Sequence, residues 1–139
     1  MNYFECKISY EKTMENGKQK RVSELYLIEA ISFSEAESIM FFKFAEFYGG
    51  EMKIETLKRD KIAEIFTSDA SRIYRVKVNF ITLDETSGKE KKTAVYMLVY
   101  ADSIEEARRE HERGMQGTIS DYEVERIEET KLIEIFRNN

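Results

Sequence analysis

The sequence predicts an α+β fold, built as a tandem duplication of a ββαβ unit with antiparallel sheets and pseudo-twofold symmetry. The first observation is that the hexapeptide KIAEIF at residues 61–66 returns almost unchanged as KLIEIF at residues 131–136. The second is that strand-like alternation and helix-start signals recur at matching places around the two hexapeptides. We therefore expect a single domain over residues 1–139, made of two repeats at residues 2–66 and 73–136.

The two repeats align along most of their length. Their first strands pair at a spacing of 70 residues, their middle parts at 71, and their ends again at 70. One extra residue before Gly88 accounts for the first change of spacing. Two copies are too few for a solenoid, which needs about three stacked repeats, so a closed pair is expected.

Each repeat is expected to begin with a β-hairpin. Polar residues alternate with the apolar residues of its first strand, which are Phe4, Cys6, Ile8 and Tyr10 in one repeat and Tyr74, Val76, Val78 and Phe80 in the other. Gly17 and Gly88 lie among polar residues at the loop, where glycine can adopt a positive φ. The returning strands, about residues 20–31 and 91–101, are apolar on both faces and are expected to be central.

A helix is expected after each hairpin. Ser32 with Glu35, and Ser103 with Glu106, match the capping box, in which serine and glutamate each accept a hydrogen bond from a backbone N–H. A third strand follows each helix. The hexapeptides then close each repeat, either as a short helical turn or as an edge strand.

Composition bounds the class of protein. With 42% apolar and 35% charged residues, and no run of about 18 apolar residues, the chain is typical of a globular domain without a membrane span. The single cysteine, Cys6, cannot form an internal disulfide and fits a reducing compartment, so we expect a cytoplasmic protein. The net charge of −5 disfavours bulk attraction to nucleic acid or anionic membranes and favours a protein partner.

Candidate chemistry is sparse, and we expect no enzyme activity, no catalytic residue, no cofactor and no metal. His111, the only histidine, and Cys6 occupy places that the other repeat fills with Met40 and Val76, so both are expected to pack as core residues. The segment SGKEKKT is superficially similar to a phosphate-binding loop. It lacks the upstream glycine and has Glu90 where serine or threonine is required, so a hairpin is expected instead.

Two groups of residues are candidate binding surfaces. The basic hairpins either contact phosphates or a partner, or are solvated loops that protect the sheet edges; their residues are Lys18, Lys20, Arg21, Lys89, Lys91 and Lys92. The first helix is apolar around most of its circumference, whereas the equivalent stretch of the second reads ARREHERGMQ. Such a helix either packs between both halves of the core or presents a stripe to a partner or a second copy. Its candidate interface residues are Phe41, Phe42, Phe44, Phe47 and Tyr48.

Three segments carry a family resemblance: YFECKISYEKTMENGKQKRVSELYLIEAISFSEAE, VNFITLDETSGKEKKT and GMQGTISDYEVERIEETKL. Together they resemble an uncharacterised domain-of-unknown-function family found in gut Bacteroidota and their phages. The resemblance implies no chemistry and no site residue. It implies a small acidic accessory protein of a phage or mobile element, acting in the cytoplasm of a host cell.

The preferred functional interpretation is a non-enzymatic binding protein, a counter-defence inhibitor of a target such as a nucleic-acid-guided nuclease. It depends on the acidic charge, the absence of an active-site motif and the context that the resemblance implies. The alternative is a nucleic-acid-binding accessory protein that uses the paired basic hairpins, together with Tyr96 and Tyr100 of a central strand.

Overall fold

A computed structural model describes residues 2–137, and the chain divides into two compact units. Unit 1 takes the chain up to Asp60 and again from Lys131 onward, and unit 2 is Lys61–Thr130. In chain order the elements are β1 (Asn2–Thr13), β2 (Gln19–Ala30), α1 (Phe33–Phe47), β3 (Met52–Asp60), β4 (Glu64–Phe66), β5 (Arg72–Leu83), β6 (Glu90–Ala101), α2 (Ile104–Gly114), β7 (Tyr122–Glu129) and β8 (Leu132–Phe136). The predicted α+β class with mainly antiparallel sheets is confirmed.

Each unit contains one four-stranded sheet and one helix. The strand order is β3-β1-β2-β8 in unit 1 and β4-β6-β5-β7 in unit 2. In both sheets the first long strand pairs antiparallel with its two neighbours. The short outer strands, β8 and β4, instead run parallel to β2 and β6.

Both hexapeptides form strands, and each lies in the sheet of the other repeat. The expectation that a hexapeptide closes its own repeat is therefore wrong, and the reason is the length of its connection. β2 and β3 run in the same direction, because both are antiparallel to β1. A strand following β3 and lying parallel beside β2 would need a crossover of about a dozen residues or more. Only residues 61–63 separate β3 from β4, so β4 pairs in the sheet of unit 2.

Both helices begin at the predicted serines. The Oγ of Ser32 accepts a hydrogen bond from the backbone N–H of Glu35 at 3.1 Å, and the carboxylate of Glu35 accepts one from the N–H of Ile31 at 3.2 Å. Ser103 and Glu106 repeat the arrangement at the start of α2. An N-cap of this kind stabilises a helix by about 1 kcal/mol.

The core of unit 1 lies between α1 and its sheet. Ala36, Met40 and Phe44 recur at four-residue spacing and form the buried stripe of the helix. They pack against the side chains that β1 and β2 direct toward the helix, namely Phe4, Cys6, Ile8, Tyr10, Tyr26, Ile28 and Ala30. Cys6 is fully buried there, as its place in the alternating strand predicted.

Unit 2 repeats this packing with a less apolar helix. Ala107, His111 and Met115 are the buried residues at the corresponding spacing. They lie over side chains of β5 and β6, including Tyr74, Val76, Val78, Met97 and Val99. No helix within residues 2–137 is long and apolar enough to cross a membrane.

Candidate functional site

The five candidate interface residues of α1 and its C-cap divide into one that is buried and four that are exposed. Phe44 is only 4% exposed and contacts the ring of Tyr10 edge-on, with 5.1 Å between the ring centroids. It faces the sheet because it continues the stripe of Ala36 and Met40, so its assignment to the interface is wrong. The exposed fractions of the other four are 46% for Phe41, 64% for Phe42, 64% for Phe47 and 47% for Tyr48.

Phe41 and Phe42 lie on the outer side of α1. Each residue of a helix is rotated by about 100° from the one before, so Phe41 lies about 100° and Phe42 about 160° from the direction of Met40. Neither residue is needed to cover the sheet beneath the helix. We call the four exposed aromatic residues together the aromatic face; Phe41 and Phe42 lie on the outer side of the helix, and Phe47 and Tyr48 lie at its end.

The second helix shows what these positions carry when they serve the fold alone. Glu112 and Arg113 of α2 are equivalent to Phe41 and Phe42, and both are exposed. Arg113 forms an ion pair with Glu110, with 3.1 Å between Nη1 and Oε1. The same packing of helix on sheet therefore tolerates charged residues at these positions, and folding does not account for the two phenylalanines of α1.

Tyr48 joins the end of the aromatic face to the core. Its ring centroid lies 4.9 Å from that of Tyr10 and 5.2 Å from that of Phe44. The hydroxyls of Tyr10 and Tyr26 donate to the two oxygens of Glu24, at 3.0 and 2.8 Å. Burial is the main cause that raises the pKa of both tyrosines. This hydrogen-bonded cluster fixes the surface under the end of α1.

The sequence did not reveal this cluster, although a comparison of the repeats contains a signal. In the second repeat Phe80, Val95 and Met97 take the places of Tyr10, Glu24 and Tyr26. Three apolar residues of the second repeat thus correspond in the alignment to three polar residues of the first. The polar residues lie at the end of the helix that carries the aromatic face.

The six basic hairpin residues do not behave alike. Arg21 forms an ion pair with Glu11 at 3.5 Å and donates to the Oγ of Ser9 at 3.0 Å. Lys92 Nζ donates to Glu123 at 2.7 Å, and this hydrogen bond raises the pKa of the lysine. Arg21 therefore joins the two strands of its own hairpin, whereas Lys92 joins its hairpin to the neighbouring strand β7. The other four hairpin residues are exposed and make no ion pair with any described residue; they are Lys18, Lys20, Lys89 and Lys91.

Local charge also distinguishes the two hairpins. Residues 11–21 contain four basic and two acidic side chains, whereas residues 84–92 contain three of each. Three of the six predicted residues lie in unit 1 and three in unit 2. The second hairpin thus offers no net positive charge to a phosphate backbone.

Two carboxylates at β-bulges were not anticipated. The register shifts place Glu55 of β3 and Glu125 of β7 as extra residues opposite β1 and β5. Glu55 accepts a hydrogen bond from Ser9 Oγ at 2.6 Å, and this bond is the main cause that lowers the pKa of Glu55. Glu125 accepts from Lys77 at 2.7 Å and from Asn79 at 3.0 Å, and its pKa is lowered chiefly by the bond to Lys77.

A broken alternation in the sequence could have indicated these bulges. The apolar residues of β3 fall at Met52, Ile54 and Leu57, and those of β7 at Tyr122, Val124 and Ile127, so a spacing of three interrupts the spacing of two. The extra residue turns a glutamate toward Ser9 in unit 1 and toward Lys77 in unit 2. Both bulges stabilise a sheet edge.

The two residues with reactive side chains lie in the cores. Burial raises the pKa of the Cys6 thiol to about 11, so the thiol stays protonated at neutral pH. His111 is 1% exposed, and its Nε2 has no hydrogen-bond partner among the described residues. Within residues 2–137 no group of three or more His, Cys, Asp or Glu side chains is placed to hold a metal ion.

Comparison with known proteins decides the family. The model of a family described as a domain of unknown function (DUF4494) matches residues 2–138. The chain belongs to this family. No curated protein and no solved structure matches it. A function for this DUF4494 protein is therefore inferred from the geometry of its own surface.

Proposed function

We propose that this DUF4494 protein is a non-enzymatic binding protein that contacts another protein through its aromatic face. The observation that carries the proposal is the exposure of Phe41 and Phe42 at positions where α2 has Glu112 and Arg113. Burial of one phenylalanine side chain contributes about 1.5–3 kcal/mol. A few buried aromatic side chains supply most of the binding energy in many protein interfaces, so this face is sufficient to anchor a partner.

The proposed biological role is that of an accessory protein of a phage or mobile element in the host cytoplasm. The resemblance to a family of gut Bacteroidota and their phages supports this context, and the net charge of −5 supports a protein target. In that role the protein would occupy and inhibit a host defence protein, such as a nucleic-acid-guided nuclease. A second copy of the chain is the other occupant that the aromatic face would accept.

The test replaces the aromatic face with the residues of the second helix. In the double variant Phe41→Glu/Phe42→Arg, both new side chains are those that α2 carries at the same positions. The matched control, Glu112→Arg/Arg113→Glu, changes the equivalent surface of α2. Light scattering measures self-association, and affinity capture from host lysate with quantitative mass spectrometry measures binding to a partner.

We expect the wild-type protein and the control to associate with the same partner or second copy, and the double variant to lose that association. Thermal melting of all three proteins checks that folding is intact. The proposal fails if the double variant captures the same partner as the wild type, or if all three remain monomeric and capture nothing specific.

A second candidate function, nucleic-acid binding, is favoured by the exposure of Lys18, Lys20, Lys89 and Lys91 at the two hairpins. Its test is a salt titration of binding to a single-stranded oligonucleotide, because each neutralised phosphate makes the affinity fall more steeply with salt. A variant with the four lysines changed to glutamine should then show a shallower slope. Salt-independent or absent binding by the wild type would exclude this candidate.

A further inference from the structure

A groove runs beside α1 in unit 1, on the side of the helix that faces the outer strand β8. It encloses about 540 Å³. Its apolar wall is formed by Ile39, Phe42 and Phe136, and Lys43 and Arg137 lie at its rim. This volume lies within the range of about 300–1,000 Å³ that is typical of ligand sites, so the groove fits a few side chains of an extended segment.

The groove lies where the two helices carry different residues beside the outer strand. Gly114 of α2 is equivalent to Lys43 of α1, and Phe66 of β4 is equivalent to Phe136 of β8. In unit 2, the ring of Phe66 lies directly against Gly114, where an added β-carbon would come within 2.5 Å of the ring. A lysine at this position excludes such an approach, so in unit 1 space remains between helix and strand.

The charges at the groove are predominantly positive. Lys43 Nζ lies 5.6 Å from the centroid of the Phe136 ring and makes no ion pair with any described residue. The carboxylate of Glu35 is used locally, because it accepts a hydrogen bond from the N–H of Ile31. Burial, and then the hydrogen bond to Glu29, raise the pKa of Tyr3, and the nearby guanidinium of Arg137 opposes this rise in part. Lys43 is thus the cation best placed to receive an anion, with Arg137 as the second.

We infer that this groove binds a segment of the partner protein in which an apolar side chain lies beside a carboxylate. The apolar side chain would insert between Ile39, Phe42 and Phe136, and the carboxylate would pair with Lys43. Charge complementarity selects this occupant, since cations at the rim of an apolar cleft repel a basic segment and attract an acidic one. The inference rests on the proposed function, because Phe42 belongs to both the groove and the aromatic face.

Two capped tetrapeptides provide the probes: acetyl-Asp-Leu-Phe-Asp-amide and its basic counterpart acetyl-Lys-Leu-Phe-Lys-amide. Each is titrated into the protein, labelled with ¹⁵N, and the amide chemical shifts are followed. We expect the acidic peptide to give saturable shifts at Ile39, Phe42, Lys43 and Phe136, and the basic peptide to give none there. Added salt should weaken binding of the acidic peptide, because the charges at the rim are exposed to solvent.

Charge reversal at the rim provides the sharper test. Lys43→Glu should weaken binding of the acidic peptide by about tenfold, which is about 1.4 kcal/mol, because an attractive charge at the rim becomes a repulsive one. Lys61→Glu, the same change at an exposed lysine that does not line the groove, should leave the affinity unchanged. The inference is overturned by equal shifts with both peptides, by shifts confined to other residues, by equal effects of the two charge reversals, or by no saturable shift at millimolar peptide.

Phe41→Glu separates failure of this inference from failure of the proposed function, since Phe41 belongs to the aromatic face and does not line the groove. If Phe41→Glu abolishes partner capture while the acidic peptide does not bind, the proposed function stands and the groove inference fails. If the acidic peptide binds the groove while the aromatic-face variants capture the partner normally, the groove inference stands and the proposed function fails.

Discussion

The ring of Phe66 lies so close to Gly114 that a β-carbon added to the glycine would lie 2.5 Å from Cδ1 and Cε1 of the ring. The corresponding pair in unit 1 is Phe136 and Lys43, where the ammonium group lies 5.6 Å from the ring centroid. The two exchanged strands are therefore held to their helices by different contacts. One is a close approach to the helix backbone, and the other is a cation over an aromatic ring.

The first prediction is that Gly114→Ala destabilises the protein. Glycine to alanine in a helix ordinarily stabilises by up to about 1 kcal/mol. Here the methyl group would collide with Phe66, and overpacking of this kind costs about 1–3 kcal/mol. Urea unfolding should show the loss, with the exposed Glu112→Ala as a nearly neutral control. Adding Phe66→Leu should restore part of the stability, and a stabilised Gly114→Ala protein would refute the contact.

The second prediction concerns the phenylalanines of α1. Phe44→Ala should lower the free energy of unfolding by about 3–5 kcal/mol, because it leaves a cavity in the core of unit 1. Phe42→Ala should change the unfolding free energy of the monomer by no more than about 0.5 kcal/mol, because its side chain is already exposed. Chemical denaturation of the two variants in parallel measures the difference. Equal losses of unfolding free energy would show that Phe42 is part of the core.

The third prediction concerns His111 and the pH range below neutrality. Burial lowers the pKa of His111 below its ordinary value of about 6.5, with a smaller opposing effect from Glu112. The unfolded chain therefore binds a proton more readily, so the free energy of unfolding falls as the pH drops below about 6.5. His111→Met, the residue that α1 carries at this position, should remove that dependence and preserve folding.

Melting temperatures at about pH 7.5 and pH 5.5 test this prediction, because they bracket the ordinary pKa of histidine. The comparison is clean, since His111 is the only histidine of the sequence. The wild type should lose stability between the two pH values and the variant should lose less. Identical pH profiles would show that folding does not change the pKa of His111, which would contradict the effect of its burial.

The fourth prediction concerns Glu55 and Glu125 at the β-bulges. Their pKa values are lowered in the folded protein, so the ionised carboxylates stabilise the fold above their ordinary value of about 4.5. This contribution is lost as the pH falls through the folded-state values. The variant Glu55→Gln/Glu125→Gln should be less stable than the wild type at neutral pH and should change less on acidification. Thermal melts between about pH 6 and pH 3 measure it; parallel profiles for the two proteins would contradict the assignment.

The elements themselves were predictable because their signals are local. Alternation in Phe4, Cys6 and Ile8, a glycine at the hairpin loop and a serine three residues before a glutamate depend only on neighbouring residues. The pairing of the hexapeptides was not predictable from the hexapeptides, because KIAEIF and KLIEIF are nearly identical and fit either sheet. The length of the connection after β3 did contain the answer, since three residues cannot cross back to the far edge of the same sheet.

The candidate site was predictable only in part. A helix that is apolar at almost every position gives no phase, so the sequence could not separate Phe44 from Phe41 and Phe42. Only the contact with Tyr10 and the shared stripe with Met40 assign Phe44 to the core. The groove depends on Lys43 and Phe136, which are far apart in sequence and meet only after β8 has paired with β2.

The strand exchange also sets an order of events on the ribosome. Unit 2 is one continuous segment, and all of its strands have been synthesised once Glu129 has emerged. Unit 1 is interrupted, and the register partner of Leu25 is Leu132, near the other end of the chain. Although its hairpin and helix are translated first, unit 1 waits with an open edge at β2 until the last strand arrives. The strands of unit 2, from the middle of the sequence, are thus all synthesised before the sheet of unit 1 has its last strand.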